Sequence, residues 1–299
     1  MSRTTSAVTM DDIQSLRPRR LPAQAEDAVP FPVTRIRDIK DLDETARWLV
    51  DGIWPTEGVG VLAGSPKTGK TWLAVELGIA VASGRPFLGQ FGVRKAGSVL
   101  MFGAEDRAAD LKARASGICK ARNQDLDALA FDLIEVASLS IDHPTEFARL
   151  RATVRKVRPA LVILDPFVRL FRGSENDAGA VSSVLGRLRA LQRECAVAML
   201  VVHHVRKRDA VEASAASIRG SGDFHAWADT SITLGRRRGG VIRANVEHRS
   251  SRSPEPLFFR LPPEGDAYLE VVNEQVDGGL DAEGNRADDK ARALAFIRE

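Results

Sequence analysis

The sequence predicts an α/β fold with a mostly parallel central sheet flanked by helices and a C-terminal antiparallel extension. Short apolar runs alternate with helical patterns between residues 59 and 202, as in parallel β-α-β units. A glycine-rich turn joins the first apolar run to its helix. After residue 230 the apolar runs are separated by Gly, Arg and Pro, a pattern that is typical of antiparallel strands.

We expect three regions along the chain. Residues 1–40 are predicted to form a flexible N-terminal arm, because the first 35 residues are rich in Arg, Pro, Ser and Thr. Residues 41–275 are predicted to form the folded domain. Residues 276–299 are predicted to be a linker and the start of a C-terminal helix, which is either the beginning of a truncated domain or a docking tail.

The elements of the folded domain are predicted from its hydrophobic periodicity. It begins with a short helix over residues 41–50, whose apolar side carries Trp48 and Leu49. In the alternating part, strands are expected at 59–63, 98–103, 131–136, 161–164 and 197–202, and helices at 70–83, 108–122, 144–157 and 178–194. The antiparallel extension is expected to contain strands at 232–234, 241–246, 257–261 and 268–272.

The composition allows a globular protein and excludes several other classes. The 299 residues are 44% hydrophobic and 28% charged, and no run of 18 apolar residues predicts a membrane span. The first ten residues lack the apolar segment of a secretory signal. Cys119 and Cys195 lack metal-ligand spacing, so we expect two buried thiols in a cytoplasmic protein. The net charge of +3 permits a nucleic-acid partner without establishing one.

The pattern G-x-x-x-x-G-K-[ST] lies between the first predicted strand and its helix, where a phosphate-binding loop belongs. Its glycines allow the backbone N–H groups to point at a phosphate beside a helix N-terminus. The lysine reaches the β- and γ-phosphates, and the final hydroxyl is placed to bind Mg²⁺. We therefore predict that ATP and Mg²⁺ bind here. The predicted binding residues are Gly64, Ser65, Pro66, Lys67, Thr68, Gly69, Lys70 and Thr71.

A carboxylate at the end of a buried strand indicates a metal site. The apolar strand that begins at Leu161 ends in Asp165, which is the Walker B form. We predict that Asp165 and Thr71 hold Mg²⁺. The alternative is that Asp165 caps the turn made by Pro166.

The predicted catalytic base is Glu105, which follows the second strand. Pro166 occupies the position after Asp165, where many ATPases place the glutamate, so the base must come from another strand end. Ligands of open α/β sheets collect beyond the carboxyl ends of the strands, where Glu105 is able to deprotonate water. The alternative role is electrostatic stabilisation of the next helix. Asp106 is expected to cap that helix.

Two histidines follow the last strand of the alternating part. Because successive strand residues point to opposite faces, His203 and His204 are not expected to bind one metal ion together. One of them is expected to sense the γ-phosphate and report hydrolysis to the following loop. We favour His203, and His204 stays open.

Arginines are frequent after this strand. They indicate a solvated face, contacts to nucleic-acid phosphates, or a finger that enters a neighbouring site. The chain has one tyrosine, so stacking on bases is poorly supported. The basic residues lie in a predicted mobile loop over 205–217 and in the extension: Arg206, Lys207, Arg208, Arg236, Arg237, Arg238, Arg243, Arg249 and Arg252.

These motifs, in this order, resemble the RecA-like P-loop NTPases and, more closely, the RepA type of hexameric replicative helicase, which is related to the DnaB core. The resemblance covers roughly residues 45–262. It rests on the phosphate loop, Ala104-Glu105-Asp106, Leu161–Asp165, Val202-His203-His204, Arg219-Gly220-Ser221 and Glu247-His248-Arg249. It implies that residues 41–275 are a RecA-like ATPase domain and that Glu105 is the hydrolytic base.

The resemblance further implies a homo-oligomeric ring, a hexamer, with ATP at the subunit interfaces. An arginine from the neighbouring subunit completes each site; Arg249 matches that position best, and Arg252 is the alternative. Loops that face the central channel, here residues 205–217, hold single-stranded DNA. RecA-type recombinases usually carry glutamine where this chain has histidine, so the resemblance favours the helicase over the recombinase.

Three hypotheses follow for the activity. The first is Mg²⁺-dependent ATP hydrolysis coupled to DNA binding and translocation, as in a replicative helicase or a related mobile-element ATPase. The second is an ATP-switched DNA-binding or assembly regulator that does not unwind DNA. The third, a small-molecule kinase, is disfavoured because an arginine-rich antiparallel extension suits a subunit interface better than a substrate lid.

Overall fold

The computed structural model describes residues 31–39, 41, 43, 46–174, 177–204, 221–261 and 268–272. By their internal contacts, residues 1–42 and residues 43–299 form two units. The described part of the first unit contains a single 3-10 turn, Ile36–Asp38. The elements that follow all belong to the second unit.

A small hairpin opens the second unit. Strand β1 (Trp48–Val50) pairs antiparallel with strand β2 (Trp54–Pro55). Gly52 lies between them at a φ of +63°, which glycine adopts without strain. The helix predicted over 41–50 is therefore wrong for residues 46–50, because Asp51-Gly52 is a turn signal that favours a hairpin.

The remaining strands form one nine-stranded sheet. They are β3 (Val59–Gly64), β4 (Val99–Gly103), β5 (Phe131–Leu133), β6 (Leu161–Asp165), β7 (Ala198–His204), β8 (Thr230–Arg236), β9 (Ile242–His248), β10 (Leu257–Arg260) and β11 (Glu270–Val271). Their spatial order is β11-β10-β9-β8-β3-β7-β6-β4-β5, and the six strands from β8 to β5 are parallel. The helices are α1 (Lys70–Ser83), α2 (Ala108–Ala121), α3 (Pro144–Val157), α4 (Ala178–Cys195) and α5 (Ser221–Trp227).

The predicted mostly parallel sheet is confirmed, with one correction. Helices α1 and α3 begin and end at the predicted residues, and the ends of the other predicted central elements shift by three residues or fewer. The run at 232–234 is predicted to belong to the antiparallel extension, but β8 pairs parallel with β3. The physical reason is helix α5, which the sequence did not predict. It lies between β7 and β8 and allows the chain to return to the start of the sheet.

Helices cover both faces of the sheet, and each face has its own core. Helices α1 and α2 pack on one face, where α1 is buried along most of its length. A helix that is apolar on all sides is expected in such a position. Helices α3, α4 and α5 pack on the other face. The carboxyl ends of the parallel strands are left open between these layers.

Several expectations fall outside the described residues. They are the loop over 205–217, Arg219-Gly220, the region 276–299 and most of the N-terminal arm. Both cysteines are free, and Cys119 is buried as expected, whereas Cys195 is partly exposed. In the part of the chain that the structure describes, no helix is long and apolar enough to span a membrane.

Candidate active site

The glycine-rich turn between β3 and α1 has the backbone of a phosphate-binding loop. Gly69 has a φ of +82° and Lys67 a φ of +62°, so the chain turns sharply just before the helix. At Gly64 a Cβ atom would lie 2.7 Å from Thr68 Oγ1 and 3.0 Å from the carbonyl oxygen of Leu234. The close approach of β8 therefore leaves space for glycine alone at that position.

The side chain of Lys70 folds back over this loop. Its Nζ donates to the carbonyl oxygens of Gly64 at 2.9 Å and Ser65 at 2.8 Å. Burial lowers the pKa of Lys70 to about 8, and the negative charges of Asp165 and Glu105 oppose that shift. The ammonium group thus lies in a site where an added anion would stabilise its charge.

Asp165 meets the helix that follows the loop. Thr71 Oγ1 donates to Asp165 Oδ2 at 2.7 Å, and the aspartate is 7% exposed. Burial raises the pKa of Asp165 to about 6, although the hydrogen bond from Thr71 acts in the opposite direction. Two oxygen donors at the end of a buried strand are the kind of ligands that Mg²⁺ prefers. The alternative of Asp165 as a cap for Pro166 finds no support, since the described hydrogen bond of its carboxylate goes to Thr71.

Glu105 stands two residues beyond β4, on the same side of the sheet as Asp165. Its carboxylate lies 3.5 Å from Arg169 Nε and 3.6 Å from His204 Nε2. The glutamate side chain is 45% exposed, so water reaches it. Asp106 does not cap α2, because that cap has no side-chain hydrogen bond and Asp106 pairs with Arg114 instead.

The two histidines point to opposite faces of β7, as expected for neighbouring strand residues. His204 faces the cleft and Glu105. Its pKa is lowered by burial and by the charge of Lys70, and Glu105 opposes the shift. His203 is 2% exposed. It packs between Phe167 and Phe224, with ring centroids 6.2 and 4.6 Å away. The preference for His203 over His204 as the sensor is therefore corrected by the geometry.

Arg249 lies far from the loop of its own chain. It follows β9, which runs antiparallel to β8, so it sits beside Asp229 at the amino ends of the parallel strands. Its Nη1 is 3.8 Å from Asp229 Oδ1, and Nη2 donates to the carbonyl oxygens of His225 and Ala226 at the end of α5. Phosphate-loop residues lie at the opposite edge of the sheet.

These groups line a cleft of about 500 Å³ at the carboxyl edge of the sheet. Four of its lining residues carry side chains that the sequence predicted for the site: Lys70, Thr71, Glu105 and Asp165. The sequence did not single out Trp72, Arg114 or Leu261, which also line it. Two further arginines were missed in this role. Arg169 contacts Glu105, and Arg236 donates to the carbonyl oxygen of Lys67 in the loop.

Comparison with known families gives one match. A family model described as an AAA domain matches residues 24–210, which is more than half of the chain. No curated protein sequence matches significantly.

Solved structures share the fold at low sequence identity. A separately solved ATPase domain superposes with a TM-score of 0.56 and 16% identity, covering 71% of this chain and 84% of that one. A DnaB-like replicative helicase, solved with its primase interactions, gives a TM-score of 0.53 and 15% identity over 70% of this chain. The match spans 56%, about half, of that helicase chain. The RadB recombinase gives 0.53 and 18%, covering 74% and 93%.

The predicted RecA-like fold is confirmed by these superpositions. They include a helicase and a recombinase at nearly equal similarity. A fold that supports both classes does not choose between them, so the choice depends on the site.

Proposed function

Because the chain belongs to the AAA domain family and is a P-loop ATPase, we propose that it hydrolyses ATP with Mg²⁺ and couples hydrolysis to movement on single-stranded DNA. The observation that carries this proposal is the convergence of Lys70, the Thr71–Asp165 pair and Glu105 on one cleft. These side chains come from three different strand ends. Together they supply a phosphate-binding cation, oxygen donors for a metal ion and a carboxylate that water can reach.

Binding of the triphosphate begins at the loop. Its backbone N–H groups and the N-terminus of α1 bind the β- and γ-phosphates. Lys70 then leaves the carbonyl oxygens of Gly64 and Ser65 for the phosphate oxygens. The exchange is favourable because burial already disfavours a lysine charge that has only carbonyl partners.

Thr71 and Asp165 fit a Mg²⁺ ion by donor type, since both present oxygen atoms. In the described residues no group of three or more His, Cys, Asp or Glu side chains forms a metal site. The remaining ligands would therefore come from the nucleotide and water, as is usual for Mg²⁺. When bound, the ion neutralises negative charge on the phosphates.

Hydrolysis assigns the base to Glu105. Its carboxylate accepts a proton from water while the water oxygen forms a bond to the γ-phosphorus and the bond to the β–γ bridging oxygen breaks. Arg169 and His204 flank the carboxylate at 3.5 and 3.6 Å and hold it in the cleft. We assign His204 as the sensor, because it reaches both the base and the strand end that leads into the basic segment 205–217.

Assembly into a homo-oligomeric ring, a hexamer, is part of the proposal. The placement of Arg249 at the amino edge supports a role in a neighbouring subunit rather than in its own. In that role the guanidinium must leave Asp229 and the end of α5. Arg252 is the alternative finger. The proposed DNA contact is the basic segment 205–217, which faces the channel in such rings.

The first experiment measures ATP turnover with and without single-stranded DNA. We expect stimulation by DNA in the wild type and no turnover with Lys70→Ala, which also controls for contaminating ATPase. Turnover that is indifferent to nucleic acid would favour the second hypothesis, an ATP-switched DNA-binding or assembly regulator. Electron microscopy with a non-hydrolysable ATP analogue tests the ring.

A mixing experiment tests the arginine. Arg249→Ala and Lys70→Ala proteins are each expected to be inactive alone. If Arg249 acts across the interface, mixed rings regain part of the activity, because some sites then hold an intact Lys70 and a neighbour's intact Arg249. Repeating the mixture with Arg252→Ala separates the two candidate fingers.

A further inference from the structure

We propose that the base of the bound nucleotide stacks on a platform formed by Trp72 and Arg114. This inference rests on the proposed function, that the loop binds a nucleoside triphosphate. Both side chains line the same cleft as Lys70 and Thr71. The phosphate site and the platform therefore belong to one continuous surface.

Trp72 lies directly after the residue that the proposal assigns to Mg²⁺. It occupies the first turn of α1 and is partly buried against the core below it. A triphosphate held at the N-terminus of this helix places the rest of the nucleotide over the neighbouring part of the cleft. The aromatic ring is thus a flat, partly exposed surface within that part.

Arg114 is fixed over this ring. Its Nη1 and Nη2 donate to both carboxylate oxygens of Asp106, at 2.6 and 2.8 Å. Its Cζ lies 5.5 Å from the centroid of the Trp72 ring. A bidentate carboxylate fixes the plane of the guanidinium, and the ring attracts its charge. The platform is therefore ordered before a ligand arrives, which reduces the entropy lost on binding.

The chemistry of the platform favours a heteroaromatic base over other groups. Indole rings and guanidinium planes both stack on bases, and every base has a face that accepts such contact. The carboxylate of Asp106 is already paired with Arg114, and Leu261 adds an apolar contact from the end of β10. We infer recognition by stacking, with little discrimination between adenine and guanine.

A second Trp–Arg–Asp group in the molecule provides a control. Arg189 Cζ lies 5.9 Å from the centroid of the Trp227 ring, and its guanidinium pairs with both oxygens of Asp229. This group lies at the amino edge of the sheet, and Trp227 is 7% exposed. It shares the chemistry of the platform but not its place in the cleft.

The experiment uses the full chain and three probes: Mg-ATP, Mg-GTP and Mg-tripolyphosphate, which has the phosphates without a base. Calorimetry gives their affinities for the wild type, Trp72→Ala and Arg114→Lys. We expect Trp72→Ala to weaken both nucleotides by about 5- to 150-fold, the range for loss of one stacked base. Tripolyphosphate affinity should stay within about twofold. Arg114→Lys keeps the charge but loses the plane, so its loss should be intermediate.

Fluorescence gives an independent reading that does not depend on the alanine variant folding. Mg-ATP should quench the tryptophan emission of the wild type, and tripolyphosphate should not. The quenching should disappear in Trp72→Phe and persist in Trp227→Phe. Quenching that survives in Trp72→Phe would overturn the platform.

Two other outcomes also decide the matter. If tripolyphosphate binds the wild type as tightly as ATP, or if Trp72→Ala weakens all three probes equally, the base is not held on Trp72 and the triphosphate site still stands. If the wild type binds none of the three, the proposed function itself fails, and the platform fails with it.

Discussion

Both edges of the parallel sheet hold an aspartate, an arginine and a tryptophan, but their aspartates are in different states. At the amino edge, Asp229 accepts hydrogen bonds from the backbone N–H of Val59 at 3.0 Å and from Arg189 at 2.7 and 3.1 Å. Arg249 lies 3.8 Å away. The carboxylate thus has partners from β3, α4 and the end of β9, and it ties these elements together.

At the carboxyl edge, the carboxylate of Asp165 has a described hydrogen bond only from Thr71. It is more deeply buried than Asp229, and burial raises its pKa to about 6. The neighbouring Lys70 has its pKa lowered to about 8. Charged groups here are poorly solvated and incompletely paired.

The difference indicates that the two edges have different roles. The amino edge uses its charges for stability, since each finds a partner within the fold. The carboxyl edge keeps charges that destabilise the free protein and are stabilised by a ligand, as is common where pKa values are perturbed in a cleft. Substitutions at the two edges should therefore have opposite signatures.

The largest effect is expected for Glu105→Gln at the carboxyl edge. The amide cannot accept the proton from water, so turnover should fall by about 10²–10⁴, the usual range for a general base. Nucleotide affinity and the free energy of unfolding should stay near wild type, because the side chain is half-exposed. Steady-state ATP hydrolysis and calorimetry measure the two quantities.

The matched control is Glu57→Gln, an exposed glutamate before β3 at the amino edge. Its turnover should equal that of the wild type. Normal hydrolysis by Glu105→Gln would show that the base lies elsewhere.

The second effect is on stability at the amino edge. Asp229→Asn removes one charge from a partly buried ion pair and leaves Arg189 with a weaker partner. We expect the free energy of unfolding to fall by about 2–3 kcal/mol, the range for a hydrogen bond to a charged group. Urea denaturation measures it. A loss below about 0.5 kcal/mol, the usual scatter of surface substitutions, would contradict the assigned role.

The third effect has the opposite sign. Asp165→Asn removes a buried charge and keeps an oxygen that accepts from Thr71. The nucleotide-free protein should become more stable by about 1–2 kcal/mol, as at other sites where function opposes stability. The rise in melting temperature on adding Mg-ADP should shrink, because the proposed Mg²⁺ ligand is lost. A destabilised Asp165→Asn protein would erase the contrast between the edges.

Much of the fold could be predicted because its signals are local. The phosphate loop, the apolar runs and the 3.6-residue periodicity of α1 and α3 each lie within a few residues of one another. The direction of β8 could not be predicted, since it depends on α5 and on how the chain returns to β3. Strand direction is a tertiary property that short apolar runs do not encode.

The site divides in the same way. Lys70, Thr71 and Asp165 belong to contiguous motifs. Trp72 and Arg114 meet only because α1 packs on α2, and no spacing in the sequence announces that contact. The choice between His203 and His204 required knowing which face of β7 carries α1. Alternation predicts that the two differ but not which one faces the cleft.

The smallest effect compares the histidines of the two edges. Burial lowers the pKa of His204 at the carboxyl edge and of His248 at the amino edge. As pH falls through about 6.5, the unfolded chain takes up protons that the folded protein resists, so the free energy of unfolding falls. Each histidine contributes at most about 1.4 kcal/mol per pH unit. His204→Gln and His248→Gln should each flatten the pH dependence between about pH 5 and 6.5.

Nucleotide should separate the two histidines. His248 bonds to the carbonyl oxygen of Gly52 at 3.0 Å and to Thr230 Oγ1 at 2.9 Å, at the edge opposite the cleft. Phosphates in the cleft would favour the charged form of His204 and leave His248 unaffected. Saturating Mg-ADP should therefore reduce the pH slope of the wild type and of His248→Gln, but not that of His204→Gln. Equal responses in both variants would mean that His204 does not sense the phosphates, because only a histidine near the nucleotide responds to its charge.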